Sequence, residues 1–406
     1  LPGALCAAIA FAVNAVRASE GYPITAYAAC SALGMTSNEV LTGLYAGRTG
    51  LRSGAFDLPF ATAVGALPGA LPPLPRRLAA YDTRLARIAV LLVDELGSSL
   101  TEAVRRHGAD RVAIVMASST AGLETTERAF AHRLRHGVLP ETYSFAEAHS
   151  FGAVVDVLRD VSGARGPGYV VSTACSSGNK VFGCAERLLG AGLADAVLVG
   201  GIDTLCQITL RGFHSLGILS GEPCRPFGLG RDGTSIGEGG ALLLIEREGQ
   251  GRARLLGVGE TCDAHHMTQP LPDGAGALAA MRGALERAGL DPRDIDHVNA
   301  HGTGTLLNDE AEAVAITALL GSQVPVASTK GFTGHMLGAA ASVEAVFSIA
   351  AMERAQLPQS LGATPLDPKL HIHANERVRQ ARCRYVLSNA FAFGGSNAAV
   401  VFGAVA

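Results

Sequence analysis

Lysine is nearly missing from this chain: Lys180, Lys330 and Lys369 are the only three in 406 residues, and tryptophan is absent. Positive charge therefore rests on arginine, and a lysine inside a glycine-rich segment, as Lys330 is, calls for a reason. Charged residues make 17% and the net charge is -3. No general field draws nucleic acid, and no basic run supplies a local one. The eight cysteines include no Cys-x-x-Cys pair, and Cys262 with His265 has no second half. Neither a metal site nor a disulfide framework is expected, and buried thiols in a reducing cytoplasm are the default reading. Long apolar runs are also lacking: Ala4 to Val16, interrupted by Asn14, is too short to span a bilayer. It has no basic start, so residues 1–21 read as an apolar extension, either an added amphipathic helix or a gene-start artefact. No membrane partner is expected.

What is present is 48% hydrophobic residues and 50 glycines, the balance of a large α/β core with many tight turns. Short apolar runs ending in glycine alternate with helix-length segments, the pattern of a sheet layered between helices. Strands are predicted at 23–30, 112–117, 169–172, 196–200, 241–246, 254–259, 295–300, 324–328, 385–388 and 398–402. Helices are predicted at 37–46, 85–96, 176–190, 276–288, 309–320 and 339–352. Residues 58–75, with five prolines, read as a surface connection. Strand, Ser-Thr, turn and alanine-rich helix recur at 170–192 and 326–348, and 111–122 resembles 295–305. The repeat implies two similar halves, 22–250 and 251–406, joined near Glu248–Arg254.

Four segments can carry chemistry. Cys175, in VVSTACSSGNKVFG, follows an apolar strand and opens a helix, where backbone N–H groups and the helix dipole favour thiolate. Its small polar neighbours are expected to leave room for a substrate, so it reads as a covalent nucleophile. His301, in HVNAHGTGTLLNDEAE, ends a strand beside two glycines that let a ligand approach, with Thr303 and Thr305 along an entry channel. Lys330 and His335 share VASTKGFTGHMLGAAASVEA, and a partly buried Lys330 needs a carboxylate, for which Asp309, Glu312 and Glu344 are the candidates. Phe391 and Phe393 lie on the glycine-rich turn of SNAFAFGGSNAAVVF, whose backbone can supply an oxyanion-hole N–H while the rings exclude water. By contrast, Gly228–Gly233 and Gly233–Gly237 match dinucleotide and hydrolase patterns without the required strand or helix, and read as a glycine-rich loop.

In order and separation, TACSS, HGTGT, the Lys330–His335 segment and AFGGSN resemble the signatures of elongating β-ketoacyl-[acyl carrier protein] synthases. GIDTL, CRPFGLGRDGTSIGEGG and DAHHMTQP extend the resemblance over about residues 22–403. The resemblance implies a thiolase fold of duplicated α-β-α-β-α halves and a Cys-His-His site. It implies that Cys175 accepts an acyl chain, that the N–H groups of Cys175 and Phe393 form the oxyanion hole, and that His301 and His335 drive decarboxylation of malonyl-[acyl carrier protein]. Lys330 would organise charge, Thr303 and Thr305 would contact the pantetheine arm, and Phe391 and Phe393 would gate. No cofactor is implied beyond the carrier's phosphopantetheine arm. The partners implied are an acyl carrier protein and a second subunit, either a copy or a ketosynthase-like relative. Gly304 where serine is usual, and Ala392 where glycine is usual, point to a specialised polyene or polyketide-like pathway. The rival readings are a chain-length partner subunit without turnover, and a thiolase or acyl-CoA synthase.

Overall fold

A computed structural model describes residues 21–54 and 56–405; the expected apolar extension lies outside the described residues except for Gly21. Eleven strands form the main sheet: β1 Tyr22–Cys30, β2 Val112–Ala117, β3 Gly168–Val171, β4 Ala196–Asp203, β5 Gly239–Glu246, β6 Ala253–Cys262, β7 His297–Asn299, β8 Pro325–Ala327, β9 His373–Ala374, β10 Tyr385–Phe391 and β11 Ser396–Ala404. Their spatial order is β9-β8-β7-β10-β11-β6-β1-β5-β4-β2-β3.

The same wiring occurs twice. In the first half β3, β2 and β4 run parallel, β5 is antiparallel to β4, and β1 is antiparallel to β5. In the second half β8, β7 and β10 run parallel, β11 is antiparallel to β10, and β6 is antiparallel to β11. The halves join where Tyr22–Ile24 pairs with Ala253–Leu255. Both segments of the weak sequence repeat thus fall on equivalent strands.

Among the helices that build the layers are α1 Arg84–Leu96, α2 Ser177–Gly190, α3 Ala275–Ala288, α4 Leu306–Leu320 and α5 Ala340–Arg354. Residues Ala340 to Met352 of α5 are all buried. A helix covered on every side belongs in a middle layer, and α5 shares one apolar cluster with α2 and the inner faces of both halves of the sheet. On the outside, α1 covers the first half of the sheet and α3 and α4 the second half. This is the duplicated thiolase arrangement.

The strand and helix expectations hold to within a few residues, and Thr36 caps the helix Ser37–Tyr45 in a capping box with Glu39. Two differences stand out. Within the proline-rich 58–75, Ala63–Gly65 forms a short buried strand parallel to Ile236–Gly237, because apolar Ala63 and Val64 find a partner inside. The helix Leu123–His136 is absent from the sequence expectations, since Phe130 and Leu134 are left exposed and break the apolar stripe. None of the helices among the described residues is long and apolar enough to cross a membrane.

Candidate active site

Cys175 sits in the turn between β3 and α2, just ahead of the helix start. The turn is held by its small polar residues. Ser177 accepts from the Thr173 N–H at 2.8 Å and donates to the Ala174 carbonyl at 2.6 Å, and Ser176 donates to the Thr173 carbonyl. These hydroxyls hold the backbone of the turn, and Cys175 beside them lines a chamber. The locked turn places Ala174 at φ 51, a left-handed conformation costly for a residue with a Cβ. Such strain persists where the surroundings over-determine it, here presenting the thiol to the chamber.

His335 reaches the thiol from the second half. Its N–H donates to the Ser235 carbonyl at 2.7 Å and its carbonyl accepts from Gly237 at 3.0 Å, so a short parallel bridge with the 235–237 segment fixes the backbone. Its Nε2 then lies 2.9 Å from Cys175 Sγ. His301 follows β7 and packs edge-on against His335, ring centroids 5.3 Å apart. The Cys175 sulfur and the reachable nitrogens of both histidines lie within 4.8 Å of one another. These are donor types that can ligate zinc, but no fourth ligand joins them among the described residues.

Of the three carboxylates considered for Lys330, Glu344 is the one it meets. Lys330 Nζ, wholly buried, donates to Glu344 Oε1 at 2.6 Å and to the His301 carbonyl at 2.5 Å. Glu312 instead accepts the N–H groups of His301 and Gly302 at 2.8 and 2.7 Å. Asp309 accepts those of Phe227 and Gly304. Both therefore brace the backbone of the HGTGT loop and do not touch Lys330. Gly304 has φ +81, and a Cβ there would sit 2.7 Å from the Gly233 carbonyl oxygen, so this chain's departure at that position is built into the packing.

Burial and the Lys330 ammonium together hold both His301 and His335 well below the usual imidazole range. Both rings are neutral at physiological pH. Neither Nδ1 takes a hydrogen-bond partner among the described residues, so no tautomer is locked. Burial pushes the Cys175 thiol up to about 12, with Lys330 pulling it down and Asp203 pushing the same way as burial. The thiolate expected from the helix start alone is thus corrected: removal from water outweighs the favourable charges at this buried sulfur, and the resting pair is a neutral thiol on a neutral imidazole.

Cys175, His301 and His335 open into a chamber of about 220 Å³ also lined by Thr303, Thr305, Phe391 and Phe393. Thr303 and Thr305 hydroxyls bond each other at 2.8 Å. Phe393 stacks on Phe213 with centroids 6.0 Å apart, while Phe391 packs against His301. Ala392 is extended, at φ -122 and ψ 154, and the left-handed positions of the turn fall on Gly394 and Gly395. Alanine is therefore unstrained at 392 in this conformation. Asp203, within GIDTL, is a residue that sequence reasoning misses. It is buried and accepts from Ser118, Ser119, Thr120 and Ala339, and only the fold brings those donors together.

A thiolase-type duplicated sheet with a Cys-His-His cluster at the meeting of its halves defines a carbon–carbon bond-forming acyltransferase class, and sequence comparison agrees. The β-ketoacyl synthase N-terminal domain model matches residues 100–250 and the C-terminal domain model matches 252–364. A 3-oxoacyl-[acyl-carrier-protein] synthase 2 of Staphylococcus aureus is 33% identical over 337 residues, 79% of this chain and 83% of that protein. Nodulation protein E of Rhizobium meliloti is 32% identical over 339 residues, 80% of this chain and 84% of that protein. Among solved structures, a chain of the ketosynthase ApeO in complex with its chain length factor ApeC, from Xenorhabdus doucetiae, superposes with a TM-score of 0.88 at 34% identity, covering 95% of this chain and 98% of that one. This chain belongs to the β-ketoacyl synthase family.

Proposed function

We propose that this chain condenses an acyl group carried on Cys175 with a malonyl unit delivered by an acyl carrier protein, yielding a 3-oxoacyl-carrier. The observation that carries the reading is the 2.9 Å contact between Cys175 Sγ and His335 Nε2 with His301 in the same cluster. In the first half-reaction the thiol passes its proton toward His335 as sulfur attacks the acyl thioester, and the arm's thiol departs with that proton. In the second, the neutral imidazoles of His301 and His335 donate to the malonyl thioester oxygen. The bond to the carboxyl group then breaks with release of CO2, and the enolate carbon attacks the Cys175 thioester. The N–H groups of Cys175 and Phe393 hold the oxyanion before Cys175 is expelled. Thr303 and Thr305 guide the pantetheine arm, and Phe391 and Phe393 gate the chamber. An unlocked tautomer suits His335 to both steps, accepting a proton in one and presenting N–H in the other.

The division into a half bearing the nucleophile, 22–250, and one bearing His301, Lys330 and His335, 251–406, is part of the same reading. A thiolase would want a cysteine in the 392–395 turn, and none is there; Cys383 is buried with its sulfur toward the Tyr385 carbonyl. A second subunit is supported by the open edge strand β3, with Tyr169 exposed, and by exposed Phe130, Leu134, Val138, Phe145 and Phe151 nearby in sequence. The ApeO structure contains a chain length factor, which makes a ketosynthase-like relative the partner to test beside a second copy. Acyl loading of Cys175 by acyl carriers, with light scattering of the same sample, tests both points; an active monomer would overturn the second.

A further inference from the structure

Some buried polar side-chain atoms of the chamber lack a hydrogen-bond partner among the described residues. Among the lining residues, three buried side chains carry one: His301, His335 and Thr234. The histidines have roles above. Thr234 has none, and it lies in the glycine-rich loop that leads to Gly237.

The backbone of Thr234 is fixed. Its N–H donates to the Ile218 carbonyl at 2.8 Å and its carbonyl accepts from Ser220 at 2.9 Å. The next residue, Ser235, holds the His335 N–H, so Thr234 is tied through one peptide to a reacting histidine. Gly233, on its other side, packs on Gly304 between Thr303 and Thr305. The Thr234 side chain is 1% exposed, and its hydroxyl bonds to nothing among the described residues. A buried hydroxyl left unmatched is costly, which points to a ligand atom as its partner.

Charge identifies that atom. Among the described residues, the chamber's lining includes Asp232 and Asp263 but no arginine or lysine, and the buried ammonium of Lys330 is committed to Glu344 and the His301 carbonyl. A substrate carboxylate entering here meets only neutral donors. Thr303 and Thr305 bond each other, the Asn397 amide donates to Asp263, and the Asn308 amide donates to Asp309. Resting on the condensation reading above, we propose that the Thr234 hydroxyl donates to the carboxylate of the malonyl extender and so helps select an acid-bearing extender over a neutral one. A neutral donor suits this role because an ion pair would stabilise the carboxylate strongly in the ground state and be lost as CO2 leaves, raising the barrier.

The test compares T234V, which keeps the shape and removes the hydroxyl, with T234S, which keeps it. Three quantities are read: acyl loading of Cys175, KM for the malonyl carrier in condensation, and binding of amide-linked malonyl and acetyl carriers. T234V is expected to raise KM and weaken the malonyl analogue by roughly 10- to 100-fold, the range for a hydrogen bond to a charged group. Loading and acetyl-analogue binding stay within about twofold, and T234S behaves like wild type. An unchanged KM in T234V overturns the proposal. So does an equal loss for both analogues, which would make Thr234 a contact to the arm, or a loss of loading, which would make its role structural. A wild-type protein that neither loads nor condenses would instead overturn the broader reading.

Discussion

Replacing Lys330 with methionine removes the ammonium while keeping most of the side-chain volume. It deletes two short hydrogen bonds and leaves the Glu344 carboxylate, 3% exposed, without its cation. Breaking a buried pair from one side costs about 3–5 kcal/mol. With an unfolding entropy near 2.1 cal/mol/K per residue over this length, that lowers Tm by about 4–6 °C. The loss depends on pH with a definite sign. Burial raises the Glu344 carboxyl and Lys330 lowers it, so without Lys330 its folded value climbs further above the unfolded one. A carboxyl raised by folding contributes stability below its unfolded value and loses it as pH rises through the folded value. The Tm deficit should therefore be smaller at pH 5 than at pH 8, and K330M/E344Q should recover most of it. Because Lys330 also holds the His301 carbonyl, K330M should lose malonyl decarboxylation. Scanning calorimetry at the two pH values gives the answer: a deficit below 1 °C at pH 8, or one that grows on acidification, refutes the reasoning.

Alkylation of Cys175 by iodoacetamide should accelerate steadily from pH 6 to 9, because burial holds the thiol up near 12; a plateau below pH 7 would show a stable thiolate instead. Replacing His301 by alanine should abolish decarboxylation while leaving acyl loading within several-fold. Replacing His335 by alanine should slow both, with loading recovering as pH rises; separate assays of each half-reaction decide, and full loading by H335A at pH 7 would contradict the proton role. Burial raises Glu312 to about 7, so its stabilising share is complete below about 4.5 and lost as pH rises through 7. The Tm difference of E312Q from wild type should accordingly move upward between pH 5 and pH 8, and a downward movement would count against the assignment.

The strands and most helices are legible in the sequence because apolar runs, caps and glycines act locally. The duplication is legible because both copies keep the strand-turn-helix unit that positions Cys175 and His335. Which carboxylate meets Lys330 is not legible: Asp309, Glu312 and Glu344 are all acidic residues on helices, and only the packing of α5 against the His301 loop separates them. The thiol's state is misjudged from sequence for a related reason, since a helix start is visible there and the depth of its burial is not. Thr234 and Arg231 are hidden in a loop without regular periodicity. Arg231, fully buried, meets Asp367 at 2.6 Å and lies 3.6 Å from Asp309, residues far apart along the chain.

The central claim is that Cys175 carries the acyl chain between the two halves of the reaction. Intact-protein and peptide mass spectrometry of the enzyme incubated with an acyl carrier, before and after addition of malonyl carrier, tests it directly. The account predicts one acyl group on the Cys175 peptide, absent from C175A, that is discharged by malonyl carrier as a 3-oxoacyl-carrier two carbons longer appears. Condensation by C175A, or an adduct on Cys175 that malonyl carrier leaves in place while product forms, would contradict it.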